Sequence, residues 1–315
     1  MKNDRNMMTR RSLMQATTAV GIGMLTSPQG LANTPKSRMV ARICFDSYGA
    51  LAFRQAVHYA GDDGFVASLP QLLHARVNAD YDNLIWNTWF TANSEESVVT
   101  TPQGNHVVVT VHGGGIFGRP SRIERALRAD LSRHNVHGLT GQYAAKITES
   151  EASELLRGRL QDGTKIPIYD FDVFRQGISD LPLRYGVVLD FEKAKKSQSG
   201  YIDFDVLRND PIMVCRAGGI EAAAEYLDKA KRRNGTSKMK FAHRHSYINP
   251  GEPQTRLLSL GGNNGGMGSE GYEGPSWGYG EDWGLNASGP VDMGRYAAVT
   301  PGNAPTDLQF MDFEP

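Results

Sequence analysis

Cysteine is nearly absent from this chain of 315 residues, with Cys44 and Cys215 the only two. Two thiols so far apart in sequence are no disulfide framework, and sequence alone leaves their pairing open. The fold must therefore be held by a core. An excess of charge of one sign is missing too, because 34 Lys and Arg stand against 34 Asp and Glu. That balance argues against a nucleic-acid partner, whose phosphate backbone needs clustered Lys and Arg. The one dense basic run, Lys229 to Arg233, ends a segment of helical spacing, where it complements the helix dipole. Beyond residue 32 no apolar run approaches the roughly 20 residues of a membrane span. No period of 20 to 50 residues recurs, which removes solenoids and propellers.

What is present begins at the N-terminus. Residues 9–15 read TRRSLMQ, followed by the diluted apolar run ATTAVGIGML and by Gly30, Leu31 and Ala32. A basic head, a short apolar middle and small residues at a cut site resemble a bacterial twin-arginine (Tat) signal peptide over residues 1–32. The resemblance implies the Tat export machinery as a partner and a periplasmic or secreted product, and it permits a cofactor without requiring one. Four basic residues and one acid lie in that segment, so its removal shifts the formal charge from 0 to −3.

The remainder, 33–315, reads as one mixed α/β domain. MVARICF predicts a strand leading into a helix near Ala50 to Ala60, and LPQLLHARV and DNLIWNTWF have helical apolar spacing. HVVVTVH is a strand, and capping boxes at Ser121 with Glu124 and at Thr148 with Glu151 announce two helices. Further strands are expected at IPIYDFDVF, YGVVLDF, PIMVCRAGG and MKFAHRHSYI, the third opening into the helix IEAAAEYLDKAKRR. Strand-to-helix junctions at Gly113 and Gly218 predict parallel pairing in part of the sheet. Residues 261–294 hold 12 glycines with Tyr272, Trp277, Tyr279 and Trp283 among them, which predicts a long loop, and GRYAAV after it returns as a strand.

Several constellations could carry chemistry. His112 followed by Gly113, Gly114 and Gly115 resembles the HGGG loop of lipases and esterases, but no GxSxG elbow accompanies it. Gly113, Gly115 and Gly118 also satisfy GxGxxG without the second strand and acid of a dinucleotide site. The general reading is a bend whose amides bind an anion beside Arg119, against a tight turn without a ligand. Cys215 beside Arg216 reads as an activated thiol or as a small buried residue. His243 and His245, on alternate positions of a strand, could hold a divalent metal, zinc or iron, with His112 or an acid completing the set. Four pairs of acids flank a phenylalanine, at Asp170 to Asp172, Asp190 to Glu192, Asp203 to Asp205 and Asp312 to Glu314. On strands these would share a face, either as a cation or acid–base site or as a solvated surface.

Two functions from different classes follow. One is an exported enzyme, hydrolytic or metal-dependent, acting on a small or carbohydrate-like substrate, with His112 as acid or base. The other is a non-enzymatic binding or assembly protein that uses the Gly/Trp/Tyr loop as its contact surface, with homo-oligomerisation left open.

Overall fold

The computed structural model describes residues 39–130, 144–243, 249–262, 285–288 and 294–301. In chain order these form β1 (Met39–Asp46), α1 (Gly49–Ala60), β2 (Phe65–Val66), α2 (Leu69–Asn78), α3 (Leu84–Asn87), β3 (Phe90–Thr100), β4 (His106–His112), α4 (Pro120–Asp130), β5 (Ala145–Lys146) and α5 (Glu149–Leu156). They continue with β6 (Ile168–Asp170), α6 (Phe171–Phe174), β7 (Tyr185–Asp190), α7 (Phe191–Lys195), β8 (Gly200–Asp203), α8 (Phe204–Leu207), α9 (Pro211–Ala217), α10 (Ile220–Asn234), β9 (Lys238–Phe241), β10 (Gln254–Leu260), β11 (Leu285–Ser288) and β12 (Gly294–Pro301). The fold is mixed α/β.

The large sheet has the order β6-β7-β4-β3-β10-β11-β9-β8, with β5 beside β10. Its β-branched strand β4 is buried on both faces. Val107, Val109 and Val111 join Val99, Ile147 and Leu155 on one side, while Val108 joins the larger core under α2, α9 and α10 on the other. Two-sided burial explains why the run reads as almost continuously apolar. A second, three-stranded sheet, β1-β12-β2, pairs β1 with β12 from Met39↔Pro301 to Asp46↔Gly294. Helix α1 covers it with Phe53, Ala56 and Ala60 at helical spacing, against Cys44 and Tyr296.

Among the described residues parallel pairing is confined to β6 with β7 and β11 with β9, and neither junction named from the sequence produces it. Strand β4 is antiparallel to both neighbours. Gly218 follows a helix, because PIMVCRAGG is α9 and not a strand: Asp210 caps it by accepting from Met213 N at 3.0 Å, Pro211 starts it, and Gly218 ends it at φ 86°. Proline inside the start and a left-handed glycine past the end override the apolar run between them. Cys215 accordingly sits in the last turn, fully buried, and both cysteines are free thiols.

The acid–Phe–acid segments are corners, not strand faces. Asp170 and Asp203 each accept from the amide two residues on, and Asp190 from the amide of Lys193; the chain turns from strand into a short helix while Phe171, Phe191 and Phe204 drop into the core. The same local device thus recurs at both edges of the sheet, β6 and β8, and at β7. The fourth segment, Asp312 to Glu314, lies outside the described residues. The box at Thr148 and Glu151 forms with both reciprocal bonds. The one at Ser121 does not: α4 begins a residue earlier at Pro120, and Glu124 instead pairs with Arg54 of α1.

Candidate functional site

The centre of the sheet carries charge where a core would be expected to be apolar. In β3, Ser94, Glu95, Glu96 and Ser97 are all 1 % exposed or less. Because side chains alternate along a strand, the two glutamates point to opposite faces.

Glu95 explains the three glycines. Its carboxylate accepts from Ile116 N at 2.6 Å and Phe117 N at 3.0 Å, and a Cβ on Gly115 would lie 2.0 Å from its Oε1. Gly113 and Gly114 adopt φ of 83° and 104°, which leaves both their amides on the Asn93 carbonyl at 2.8 and 3.1 Å. The bend does present amides to an anion, and that anion is the protein's own. Burial pushes the Glu95 carboxyl up to about 7, against the pull of the two amides and of Arg122, with Glu151 adding to the rise. Arg122 is held by Glu151 at 2.8 Å and by the Lys146 carbonyl. Arg119 stands exposed, while the Gly113 and Gly114 amides are taken up by the Asn93 carbonyl and those of Ile116 and Phe117 by Glu95.

On the opposite face Glu96 takes a two-pronged bond from Arg216, at 2.7 and 2.9 Å, with neither side chain reaching solvent. Arg216 also donates to the Ala242 carbonyl and lies over Phe241. Beside this pair is His112, fully buried. Its Nε2 is 2.9 Å from the Cys215 carbonyl, which can only accept, so that nitrogen carries the proton and Nδ1 accepts from Ser94 Oγ at 2.9 Å. Burial holds the ring down to about 4, opposed by the Cys215 carbonyl and Glu96. Both ring nitrogens of His112 are thus engaged by internal partners, and the ring is fully buried. The Cys215 thiol is pushed up by burial and then by Glu96 and Asp210, the reverse of an activated nucleophile.

His243 lies beyond the end of β9, which stops at Phe241, and its Nε2 meets the Ser197 carbonyl at 2.6 Å. His245 lies outside the described residues. Strands β3, β10 and β11 stand between β9 and β4 in the sheet order. Among the described residues no group of three His, Cys, Asp or Glu side chains is placed to hold a metal.

A different place collects features that sequence reading missed. Residues 261–284 join β10 to β11, whose register pairs Leu260 with Leu285, so the connection leaves and re-enters at adjacent positions. Buried Arg76 fixes its first stem by donating to the carbonyls of Ile85 at 3.0 Å, Thr88 at 2.9 Å and Gly261 at 2.5 Å, beneath Trp86. Gly262 is pressed against the backbone of Thr88 and Trp89, where a Cβ would approach to 2.5 Å. Gly294, on the return into β12, is also close to backbone, with an added Cβ falling 2.9 Å from Gly49 Cα. The only sequence signal for this was glycine at both margins of the aromatic-rich segment.

No family model and no curated protein matches the chain. A solved structure described as "Accommodation of massive sequence variation in Nanoarchaeota by the C-type lectin fold" does, at 24 % identity and a TM-score of 0.56, covering 83 % of this chain and 97 % of that one. The fold is C-type lectin-like. In this C-type lectin-like frame the glutamate-bearing strand β3 lies in the interior, and Gly262 and Gly294 pack closely on neighbouring backbone. No helix among the described residues is long and apolar enough to cross a membrane.

Proposed function

We propose that this chain is an exported binding protein whose ligand contact is made by the Gly/Trp/Tyr segment 261–294 on a C-type lectin-like frame. The observation that carries this reading is the clamping of the stems: a buried arginine spends its donors on Gly261, Thr88 and Ile85, and two glycines are packed backbone to backbone. Rigid scaffolds that carry long irregular segments are a common means of presenting contact surfaces. The residues that favoured catalysis support it from the other side, because His112 and the glycine bend are occupied by internal partners. The neighbouring solved structure, by its own description, accommodates sequence variation on such a fold. Trp277, Trp283, Tyr272 and Tyr279 offer flat faces suited to stacking on sugar rings, so a carbohydrate-like ligand is the class to test. Export rests on the TRRSLMQ stretch and the small residues to Ala32.

The test is a glycan-array measurement on the exported protein beside a variant with all four aromatic residues replaced by alanine. Binding to at least one carbohydrate class, abolished in the variant while the circular dichroism spectrum is retained, is the expected result. No glycan bound, or equal binding by the variant, refutes the reading. Stoichiometric zinc or iron on the purified protein would restore the enzymatic alternative.

A further inference from the structure

The described chain contains several arginines buried in its interior, and one is treated differently from the rest. Arg76 meets carbonyls, Arg122 meets Glu151, Arg216 meets Glu96, and Arg256 meets the side-chain amide oxygen of Gln254. Arg295, opposite Phe45 in the β1–β12 register, is only 8 % exposed, yet among the described residues neither a carboxylate nor a carbonyl meets its guanidinium. The hydrogen bond it makes there runs from its backbone N to Thr91 Oγ1 at 3.4 Å.

Two rings hold the group instead. Its guanidinium carbon lies 4.9 Å from the Phe45 centroid and 4.6 Å from that of Trp89, and these rings stand 80° apart with centroids separated by 6.2 Å. They form a corner. Aromatic rings attract a guanidinium without accepting its N–H bonds in the way an oxygen does, so its hydrogen-bonding capacity is left for another partner. The N–H fork of a guanidinium matches the two oxygens of a carboxylate or phosphate. Burial lowers the guanidinium's pKa with no acid to offset it, as expected of a cation lacking its counter-charge. The corner also adjoins the stem described above, since Gly262 packs on the backbone of Trp89 and Gly294 precedes Arg295.

We propose that Arg295, in the corner of Phe45 and Trp89, binds an oxyanion group of the ligand, carboxylate or phosphate. The assignment deepens the binding reading and rests on it for the identity of the larger ligand. It can be tested separately. The full chain is titrated by calorimetry and thermal unfolding with sodium phosphate, sodium glucuronate and glucose, against sodium chloride at matched ionic strength. A saturable rise in Tm with phosphate or glucuronate, and none with glucose beyond the chloride control, is expected. Response to one anion and not the other assigns the source of the oxyanion. Affinity should fall at least tenfold in Arg295→Met, and also in Arg295→Lys, which keeps the stem and the charge but loses the fork and guards against a folding failure of the first. Absence of any response beyond chloride, or unchanged affinity in both variants, overturns the proposal. In the fourfold aromatic-to-alanine variant the anion response should persist. If glycan binding fails in the wild type while this response remains, the carbohydrate reading is lost and the oxyanion site is not.

Discussion

Replacing Gly115 by alanine should be among the most damaging single-methyl additions in this protein, for a reason that lies entirely in one partner. Gly115 is not among the positive-φ glycines, so alanine introduces no backbone strain there and should gain about 0.4–1 kcal/mol by restricting the unfolded chain. Against this, the new Cβ would sit 2.0 Å from Glu95 Oε1 and 2.3 Å from its carboxyl carbon, which forces the carboxylate out. The amides of Ile116 and Phe117 then lose their acceptor in a dry interior, at about 1–3 kcal/mol each. A net loss of roughly 2–5 kcal/mol follows. The nearest atoms to the added methyl all belong to Glu95. In a Glu95→Ala background the same change should therefore cost about 0.5 kcal/mol or less, giving a coupling energy of about 2 kcal/mol or more in a double-mutant cycle. Urea unfolding of the four proteins at pH 7.5 measures it. If Gly115→Ala costs under about 1 kcal/mol, or if the cycle is additive, Glu95 is not what the glycine is for.

The two strongly shifted groups should oppose each other with pH. Glu95 titrates near 7 in the folded chain against 4.5 unfolded, so the folded state holds the extra proton and stability falls as pH rises from about 4.5 to 7. His112 titrates near 4 against 6.5, so the unfolded state holds the extra proton and stability falls as pH drops from about 6.5 to 4. Each is worth about 3 kcal/mol, and between pH 4.5 and 6.5 the slopes should cancel; Glu95→Gln should expose a steady rise of stability with pH in that window, and a flat profile in that variant would contradict the assignment. At the corners, Asp203→Ala should cost about 1 kcal/mol through loss of the cap on Asp205 N, Phe204→Ala about 3–5 kcal/mol, and half-exposed Val206→Ala almost nothing, all by urea unfolding. A large effect at Val206 would show that the face of α8 is covered.

Strands β1, β4, β7 and β12 and helices α1, α2, α5 and α10 were legible because their apolar spacing and caps agree with their burial. Strand β3 was not, since FTANSEESVVT has too much polarity to resemble a central strand; its acids are tolerated only because Gly115 and Arg216, far away in sequence, meet them from either side. The segment read as a strand at Cys215 had its stop signals in plain view, Asp210–Pro211 before it and Gly218–Gly219 after it. That Ser94 and the Cys215 carbonyl take up both ring nitrogens of His112 is not legible in the sequence, because the partners come from other elements of the fold. The corner at Arg295 left no sequence trace, as its rings come from β1 and from the residue before β3.

The pairing of Leu260 with Leu285 has a consequence for how the molecule could diversify. Where two anchor points already stand shoulder to shoulder, doubling the length of what joins them adds only about 0.6 kcal/mol of closure entropy. Changes of length between those points would then weigh little on the scaffold's own unfolding curve, and the body of the protein would not have to refold to take them up.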